Sequence, residues 1–457
     1  MSTLAAHDGA SELAAQARGD HERVAATRRN ATRVLVAYVA LWVLEGAVRK
    51  WGPGALDTVF YIARDAMLIG AIIAFFISGA PRRRHPWWTV LWISTLVLVV
   101  HGSFAMMRGS IDPVTLVFGW RAYLVAPLLV VFAATYAPAS ALASIADTFA
   151  VLALVSVPLV TLQVFSPASS WANQMTQGEE ATFLNAGEVV RPAGTFSSPS
   201  GFGSFVPIAL ALSLATLTFR PRRTALHGTA VAALAVMSAV SGSRSIVVAD
   251  AIVIVAFLYI AAFRLTTRSI LTVVGLTIGA IIGMIVVSRV FAAALDAFST
   301  RVDQASNSED SGGRVWNNVT GFLSEPIPLV GTGAGAHSTA GVQRLGSIWV
   351  EIEKQKMTAE LGLIGLGLAL GCLAMALWAV VHILVRAHSA PPERLLILAI
   401  IAYLLAAGTI TQQPTSQGAF AILVTLVVLT SPAVMRDEDP PPEPDASPPP
   451  SALHRGT

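Results

Sequence analysis

The segment SIVVADAIVIVAFLYIAAF, residues 245–263, decides the fold class of this chain. It has about the 20 residues that a helix needs to cross the hydrocarbon core of a bilayer, and Asp250 is its single acidic or basic side chain. The bilayer core offers no water to backbone N–H and C=O groups, so a spanning segment must pair them internally, as a helix does. The segment therefore predicts a transmembrane helix.

Apolar blocks of this kind recur along the whole chain. Of its 457 residues, 54% are hydrophobic and 12% are charged, and the mean hydropathy is +0.66. A soluble domain carries about twice that share of charged residues. Spans are predicted near residues 33–49, 57–78, 87–106, 113–134, 141–165, 202–219, 226–242, 245–263, 269–290, 358–385, 394–410 and 418–434. The predicted fold is an all-α membrane protein with about 12 transmembrane helices.

The composition also excludes several kinds of site. Cys372 is the single cysteine, so intrachain disulfide bonds and cysteine-cluster metal sites are excluded. No His, Asp and Glu residues have the spacing of metal ligands, and no Ser–His–Asp pattern is evident. No basic patch with interleaved aromatic residues is present either. The sequence therefore predicts no metal, no cofactor and no nucleic-acid partner.

The distribution of arginine predicts which side of the membrane each loop faces. Cytoplasmic loops of membrane proteins are enriched in Lys and Arg. Four loops are rich in arginine and fall on one side if the N-terminus is cytoplasmic: PRRRH (81–85), RPRRT (220–224), residues 264–268 and RAHSAPPER (386–394). The exceptions on the opposite side are Arg49, Lys50, Arg108 and Arg244. An even number of spans with both termini in the cytoplasm fits this pattern best.

Three parts of the chain are distinguished by composition. Residues 1–32 are polar, bear arginine and lack a cleavable signal peptide, so they are predicted to be a cytoplasmic N-terminal segment. Residues 33–434 form the polytopic transmembrane domain. Residues 435–457 are Pro-rich and are predicted to be a disordered cytoplasmic tail.

Two predicted outside loops are long, covering residues 166–201 and 291–357. Loops of this length are usually functional or disordered. The second is also predicted to contain a short amphipathic stretch near Val290–Val302. No internal repeat is evident, so the inverted-repeat pattern of many transporters is missing from the sequence.

The first long loop ends in RPAGTFSSPSGFGSF, residues 191–205. A Gly- and Ser-rich helix N-terminus offers unpaired backbone N–H groups and a positive dipole end, both suited to phosphate. Arg191 is placed to add a bidentate contact to a phosphate oxygen. An ordinary loop with an N-capping serine such as Ser200 fits the same pattern, and both interpretations stay open.

Two further arginines are candidates because of where they lie. Arg244, in the turn SGSRS (241–245), lies on the side of the membrane where few arginines are predicted, which makes it a functional candidate. An arginine whose side chain snorkels to the interface explains this position as well. Arg121 lies in GWRAYLVAPLL within a predicted span, where a charge is expensive and therefore a functional candidate. The structural alternative is that Arg121 forms an ion pair with Asp65 or Glu45. A functional role and this ion pair are compatible in the same side chain.

The second long loop carries other candidates. Arg314 and Trp316 open it, as binding residues or as a solvated charge and an interfacial aromatic. GTGAGAH (331–337) is a flexible glycine turn without the lysine of a nucleotide-binding loop. Glu351 and Glu353 complement the dipole of the following helix, or else one of them acts as a general base.

His337 is another candidate base, although a single loop histidine is more often merely exposed.

Several motifs in order resemble the O-antigen polymerase and O-antigen ligase family of polytopic membrane glycosyltransferases, including its exopolysaccharide polymerase members. The arginine-then-GTF-then-Ser-Pro segment (191–205) resembles that family's entry into a helix. SGSRSIVVADAIVIV (241–255) resembles its SR turn and span. GRVWNNVTGFLSEPIPLVGTGAGAH (313–337) and ELGLIGLGLAL (360–370) resemble its large periplasmic loop and the helix that follows, and EGAVRKWGPG (45–54) resembles its exopolysaccharide-type members. Apart from EGAVRKWGPG, these motifs together cover about residues 110–430.

The resemblance implies an enzyme of the bacterial cytoplasmic (inner) membrane that acts on polyprenyl-diphosphate-linked oligosaccharide repeat units, with other polysaccharide-assembly proteins as partners. It implies that Arg191 and Arg244 bind the pyrophosphate, that Arg314 and Arg121 position the donor or hold the cavity, and that Glu351 is the catalytic base. Ligase-type members carry a histidine where Glu351 stands, nine residues before Glu360. This departure favours a polymerase over a ligase, with His337 left as the alternative base.

Two other classes of function remain. A transporter or flippase of lipid-linked polysaccharide precursors would use Arg121, Asp65 and Glu45 to line its path. A non-catalytic scaffold of envelope assembly would use the Pro-rich tail. The long outside loops and their arginines favour the enzyme.

Overall fold

The protein forms a bundle of helices in a computed structural model that describes residues 2–176, 185–186, 189–290 and 311–436. The helices, numbered in chain order, are α1 (Ser2–Trp51), α2 (Ala55–Ile77), α3 (Trp87–Met107), α4 (Pro113–Tyr136), α5 (Ala141–Phe165), α6 (Pro199–Phe219), α7 (Thr224–Val240), α8 (Arg244–Phe263), α9 (Thr267–Val290), α10 (Ser311–Thr320), α11 (Thr339–Leu345), α12 (Glu353–Leu361), α13 (Leu363–Arg386), α14 (Pro392–Ala407), α15 (Pro414–Leu429) and α16 (Pro432–Arg436). Short 3₁₀ turns cover Trp171–Asn173 and Gly321–Leu323.

Eight helices in the described part of the chain are long and apolar enough to cross a membrane. They are the segment Arg18–Trp51 of α1 together with α2, α3, α4, α5, α6, α8 and α13. This confirms the prediction of an all-α membrane protein. The other predicted spans coincide with α7, α9, α14 and α15, which are helical and apolar but shorter, or apolar over a shorter stretch.

Burial separates central from peripheral helices. In the most apolar part of α6, 78% of the residues are buried, against 11% in α2 and 22% in α13. In the centre, the ring of Trp42 lies 5.1 Å from that of Phe196 and 6.4 Å from that of Phe205, and its Nε1–H donates to the carbonyl of Thr415 at 2.8 Å. The exposed apolar faces of α2 and α13 are the surfaces that a bilayer covers.

The four arginine-rich loops gather at one end of the bundle, the arginine end, formed by the turns at residues 77–87, 136–141, 219–224, 263–267, 386–392 and 429–432. Arg83 donates to the carbonyl of Ala137 at 2.8 Å. Arg264 likewise donates to the carbonyl of Ala387 at 2.8 Å, and Arg220 pairs with Glu393 at 2.7 Å. These contacts fasten neighbouring turns to one another.

The opposite end, the site end, is formed by residues 51–55, 107–113, 165–176, 185–186, 189–199, 240–244, 321–363 and 407–414. The predicted single span at 358–385 is wrong at its beginning, because α12 and α13 are separate helices that meet at Gly362. This glycine has φ +60°, and carbonyls of residues 328 and 329 lie 2.6 Å from where a Cβ would be. At Gly365 a Cβ would clash with the Met357 carbonyl, so α12 folds back closely against α13.

Several expectations fall on parts that the structure does not describe. The predicted amphipathic stretch near Val290–Val302 is not described beyond residue 290. The predicted tail is not described beyond residue 436. The backbone of Arg314 belongs to α10, but its side chain is outside the described part.

Candidate functional site

The segment after Arg191 enters the bundle instead of lying over its surface. Gly194, with φ +57°, donates its N–H to Gln163 Oε1 at 2.8 Å, and its carbonyl accepts from Gln163 Nε2 at 3.2 Å and from Lys50 Nζ at 2.7 Å. Thr195 donates to the Val43 carbonyl at 2.6 Å. These buried bonds fix residues 193–198 between α1 and α5.

Close packing of backbones explains why the segment fits there. At Gly46 of α1, a Cβ would clash with the backbone of residues 196–197 and lie 2.6 Å from the Thr195 carbonyl. Phe196 and Ser197 are both buried, with Phe196 in the aromatic cluster around Trp42. The glycine of the EGAVRKW motif thus makes room for the GTF motif.

Arg191 stands at the entrance of this buried segment. It directly follows the short strand Val189–Val190, which pairs with Asn185–Ala186 in antiparallel register. The Arg191 side chain is partly buried, and its Nε is buried without a hydrogen-bond partner among the described residues. A buried donor without an acceptor costs about 1–3 kcal/mol, so this N–H is suited to an anionic ligand.

The N-terminus of α6, at Pro199, follows the buried segment 193–198. Its N-cap residue is Ser198, which makes no side-chain cap bond, so the interpretation of Ser200 as the capping residue is wrong. Both serines instead bond Gln413 Oε1, Ser198 at 3.1 Å, and the two hydroxyls are 2.8 Å apart. Within the described residues no side chain caps the start of α6, where Pro199 has no N–H and the Gly201 N–H donates to the Ser198 carbonyl at 3.2 Å.

The loop between α14 and α15 connects α6 to the remaining candidates. Gln412, beside Gln413, donates to the carbonyls of Glu351 and Val350, the latter at 3.3 Å. The Glu351 side chain is exposed. This loop therefore brings the segment that carries Glu351 next to the start of α6.

The start of α8 also packs on α6. Gly203 lies against Ile246, whose Cγ1 would be 3.4 Å from a Cβ at that position. Arg244 is the first residue of α8 and its side chain is exposed. Arg191, Arg244 and Glu351 are thus carried by elements that meet around the N-terminus of α6.

Sequence reasoning missed the charged face of α12, where Glu353, Lys354, Lys356 and Glu360 are all buried. Glu353, for which a dipole-complementing role and a general-base role were both open, lies in the first turn of α12. Its carboxylate accepts from the N–H groups of Ile410 and Thr411, each at 2.9 Å. Lys356 donates to the Thr411 carbonyl at 3.1 Å and hydroxyl at 3.0 Å. The spacing i, i+3, i+7 of Glu353, Lys356 and Glu360 is the sequence signal that could have revealed one charged helix face.

The carboxylate of Glu360 holds the GTGAGAH loop. It accepts from the Tyr123 hydroxyl at 3.0 Å and from the His337 backbone N–H at 3.1 Å. Gly335, with φ +93°, lies where a Cβ would be 2.6 Å from the Thr115 carbonyl. The glycines therefore permit close packing on α4. A ring nitrogen of His337, Nδ1, lies 2.9 Å from the Ile348 carbonyl, so the ring is already engaged there.

The candidate Arg121 is part of a buried charge network. It forms an ion pair with Asp65, donates to the Tyr61 carbonyl at 3.1 Å and lies over the Tyr61 ring at 4.6 Å. Arg64, which sequence reasoning did not single out, lies 3.5 Å from Asp65 and 3.6 Å from Glu45. The predicted structural partner Asp65 is confirmed.

Two other cations at the site end also have partners. Arg49 pairs with Asp57 at 2.8 Å, and Lys50 holds the Gly194 carbonyl as described above. Both residues lie at the end of the bundle where few cations were predicted. Their bonds, which fasten α1 to α2 and to the buried segment, explain why they are there.

The helix α10, which carries Arg314, packs beside α12. Lys354 Nζ donates to the Asn318 carbonyl at 3.2 Å, and Gln355 donates to the Gly321 carbonyl at 3.1 Å. Trp316 is 68% exposed, as expected of an interfacial aromatic. The backbone of Arg314 is therefore brought to the charged helix α12.

Neither a model of a known protein family nor a curated protein matches this sequence.

The site end can therefore be described by its chemistry alone. It offers an arginine Nε without an acceptor, helix N–H groups without a side-chain cap, and exposed Arg244 and Glu351 on adjoining elements. Among the residues that the structure describes, no three His, Cys, Asp or Glu side chains gather as metal ligands. Cations and helix N–H groups suit an anion such as phosphate, and a nearby carboxylate suits the acceptance of a proton.

Proposed function

We propose that the protein is a membrane glycosyltransferase that polymerises or transfers polyprenyl-diphosphate-linked oligosaccharide repeat units during surface polysaccharide synthesis. The observation that carries the proposal is the buried Nε of Arg191, which has no acceptor among the described residues and directly precedes the inserted segment that leads to α6. A diphosphate oxygen supplies the acceptor that the described residues do not.

The proposed topology places the enzyme in a bacterial cytoplasmic membrane with 12 spans and both termini in the cytoplasm. The arginine end then faces the cytoplasm and the site end faces outward. The clustering of the four arginine-rich loops at one end of the bundle supports this orientation. Lipid-linked oligosaccharide reaches the site end from the bilayer.

The reaction joins a sugar hydroxyl to the anomeric carbon of the donor. The hydroxyl oxygen forms the new glycosidic bond while the bond from the anomeric carbon to the phosphate oxygen breaks. The polyprenyl diphosphate leaves with the electron pair, and the hydroxyl proton passes to a carboxylate. Arg191 and Arg244 stabilise the negative charge on the leaving diphosphate, and Arg314 positions the donor. The diphosphate already activates the anomeric carbon, so no nucleotide takes part.

Glu351 is the proposed base. Glu353 and Glu360 are buried and each accept hydrogen bonds from backbone N–H groups, whereas the Glu351 side chain is exposed at the site end. Of these three carboxylates, Glu351 is therefore the one that a bulky glycan can reach. Arg121, paired with Asp65, holds the helices around the site.

The test is an assay of purified protein with polyprenyl-diphosphate-linked repeat units, with the glycan products separated on a gel and weighed. A ladder that grows by whole repeat units supports a polymerase. Arg191→Ala and Glu351→Gln should each lower the rate by at least about 100-fold at normal abundance. Arg268→Ala, an exposed arginine at the arginine end, is the matched control and should keep full activity. Activity retained by Arg191→Ala contradicts the proposed phosphate role.

A transporter or flippase of lipid-linked precursors is the second candidate. The buried network of Glu45, Arg64, Asp65 and Arg121 favours it, because charges within spanning helices commonly mark a transport path. Each charge in the network has an opposite partner within 4.0 Å, which equally supports a structural role. Lipid flipping in proteoliposomes without glycan growth would favour this candidate over the enzyme.

A further inference from the structure

An open cleft of about 690 Å³ lies at the site end of α3, away from Arg191 and the start of α6. One wall is formed by Phe104, Arg108 and Ser110, and the floor is formed by residues 328–332. Among the described residues that line the cleft, Arg108 carries the single charged side chain and none carries a carboxylate. The cleft is therefore a mainly apolar groove with one fixed positive charge.

Arg108 is held in place, but not all of its hydrogen-bond donors are used. Its guanidinium donates to the Gly331 carbonyl and lies 5.3 Å from the centre of the Phe104 ring. A guanidinium has five N–H donors, and the others have no acceptor among the described residues. The side chain is exposed, so these donors are available to a ligand in the cleft.

The surroundings of the cleft belong at the surface of a bilayer. Met107 and Leu329 are each 77% exposed, and Phe104 is 43% exposed. Phe104 and Met107 lie in the last turn of α3, one of the helices long and apolar enough to cross a membrane, and Leu329 lies in the loop that lines the cleft. An arginine among exposed apolar side chains at the end of a spanning helix lies where lipid phosphates meet acyl chains.

We propose that this cleft binds an anionic glycerophospholipid of the bilayer, with the phosphodiester on Arg108 and an acyl chain along Phe104 and Leu329. One guanidinium matches the single charge of a phosphodiester, whereas a diphosphate calls for more than one cation. None of the described lining residues offers a carboxylate to the ammonium of a zwitterionic headgroup. The inference is independent of the proposed glycosyl transfer.

The cleft floor is bonded to the charged helix α12. Thr332 donates its N–H to the Ala359 carbonyl and Gly333 donates to the Glu360 carbonyl, each at 2.9 Å. Leu363 donates to the Leu329 carbonyl at 3.2 Å. A lipid in the cleft therefore rests on a loop that braces α12 and the beginning of α13.

Site-specific photo-crosslinking tests the proposal on the full chain in nanodiscs. A benzophenone amino acid replaces Leu329, at the cleft floor, or Ile93, an exposed residue of α3 that does not line the cleft. One set of nanodiscs contains radiolabelled phosphatidylglycerol as a minor component in unlabelled phosphatidylcholine. A second set has the same composition, but the radiolabel is on phosphatidylcholine. The probe at residue 329 should label phosphatidylglycerol in preference to phosphatidylcholine, and the probe at residue 93 should label both equally.

Arg108→Ala should lower phosphatidylglycerol labelling at residue 329 about tenfold, the loss expected for one charge-assisted hydrogen bond. When the probe is at residue 93, labelling should be the same with and without Arg108→Ala, which shows that the variant is folded and inserted. Arg344→Ala, at an exposed arginine that pairs with Asp112 instead of lining the cleft, is the matched control and should change nothing. Equal labelling by both lipids, no loss in Arg108→Ala, or competition by polyprenyl diphosphate but not by phosphatidylglycerol would each overturn the proposal.

Discussion

The ammonium of Lys356 lies 3.9 Å from the carboxylate of Glu360, and both side chains are fully buried on α12. Lys356 also donates a hydrogen bond to the Thr411 carbonyl, in the loop between α14 and α15. The Glu360 carboxylate accepts a hydrogen bond from the backbone N–H of His337. A single ion pair thus joins two loops that are far apart in sequence. The segment carrying Glu351 lies beside one of them, through Gln412.

Removing the lysine should destabilise the bundle strongly. Lys356→Met leaves the buried Glu360 carboxylate without its cation and removes one of two donors to the Thr411 carbonyl, which keeps its bond from Gln417 at 3.1 Å. Breaking a buried pair in this way costs about 3–5 kcal/mol. Thermal unfolding in detergent, followed by tryptophan fluorescence, measures the loss. The double variant Lys356→Met with Glu360→Gln should recover part of it, because the remaining amide is neutral and still accepts from His337. A double variant less stable than Lys356→Met contradicts this account.

Gly46→Ala should disturb the inserted segment. An added Cβ clashes with the backbone at Phe196 and Ser197, and overpacking of this kind costs about 1–3 kcal/mol. Gly70→Ala on α2 is the matched control, since a Cβ there meets nothing within 4 Å. The control should be neutral or should stabilise by about 0.5–1 kcal/mol, because alanine favours a helix over glycine. Equal unfolding temperatures for the two variants would show that the close approach is unimportant.

The pair of Arg121 and Asp65 should behave as a unit. Arg121→Gln and Asp65→Asn should each lower stability by about 3 kcal/mol, and the double variant should lose clearly less than the sum. A double-mutant cycle on unfolding in detergent measures the coupling. If Arg121 binds the donor directly, Arg121→Gln will instead lose glycan synthesis at unchanged stability, whereas Asp65→Asn will not.

Acid should loosen the contact between α4 and α11. Asp112 caps α4 through the N–H groups of Val114 and Thr115, and it also pairs with Arg344 of α11. The hydrogen bond from the Thr115 hydroxyl, together with Arg344, lowers the pKa of Asp112 from 3.8 to about 2. A lowered pKa means that the stabilisation is complete above pH 3.8 and is lost as the pH falls toward about 2.

Hydrogen exchange of the first turn of α4 measures this loss. In the native protein, protection should fall through that acid window. In Asp112→Asn, protection should be lower at neutral pH and should not change with pH in the same window. A parallel response of both proteins would show that another group titrates there.

The sequence by itself determined the class of the protein and the approximate positions of its long apolar helices. Hydropathy over about 20 residues is a local property, and a bilayer converts it directly into helices, so SIVVADAIVIVAFLYIAAF predicted α8 almost to its ends. The arginine-rich loops were equally readable, and they meet at one end of the bundle. The sequence also pointed to Arg191, Arg244 and Glu351, whose roles remain predictions.

Only the tertiary structure decided how those segments meet. Residues 193–198 were expected in an outside loop, yet they are buried because they pack against Gly46 and bond Gln163 and Lys50, all distant in sequence. Whether Arg121 would pair with Asp65 or Glu45 depended on the packing of α2 against α4. The break at Gly362 and the burial of charges on α12 followed from contacts with residues 328–337 and 406–411. Such contacts satisfy buried charges across long separations in sequence, and no local pattern encodes them.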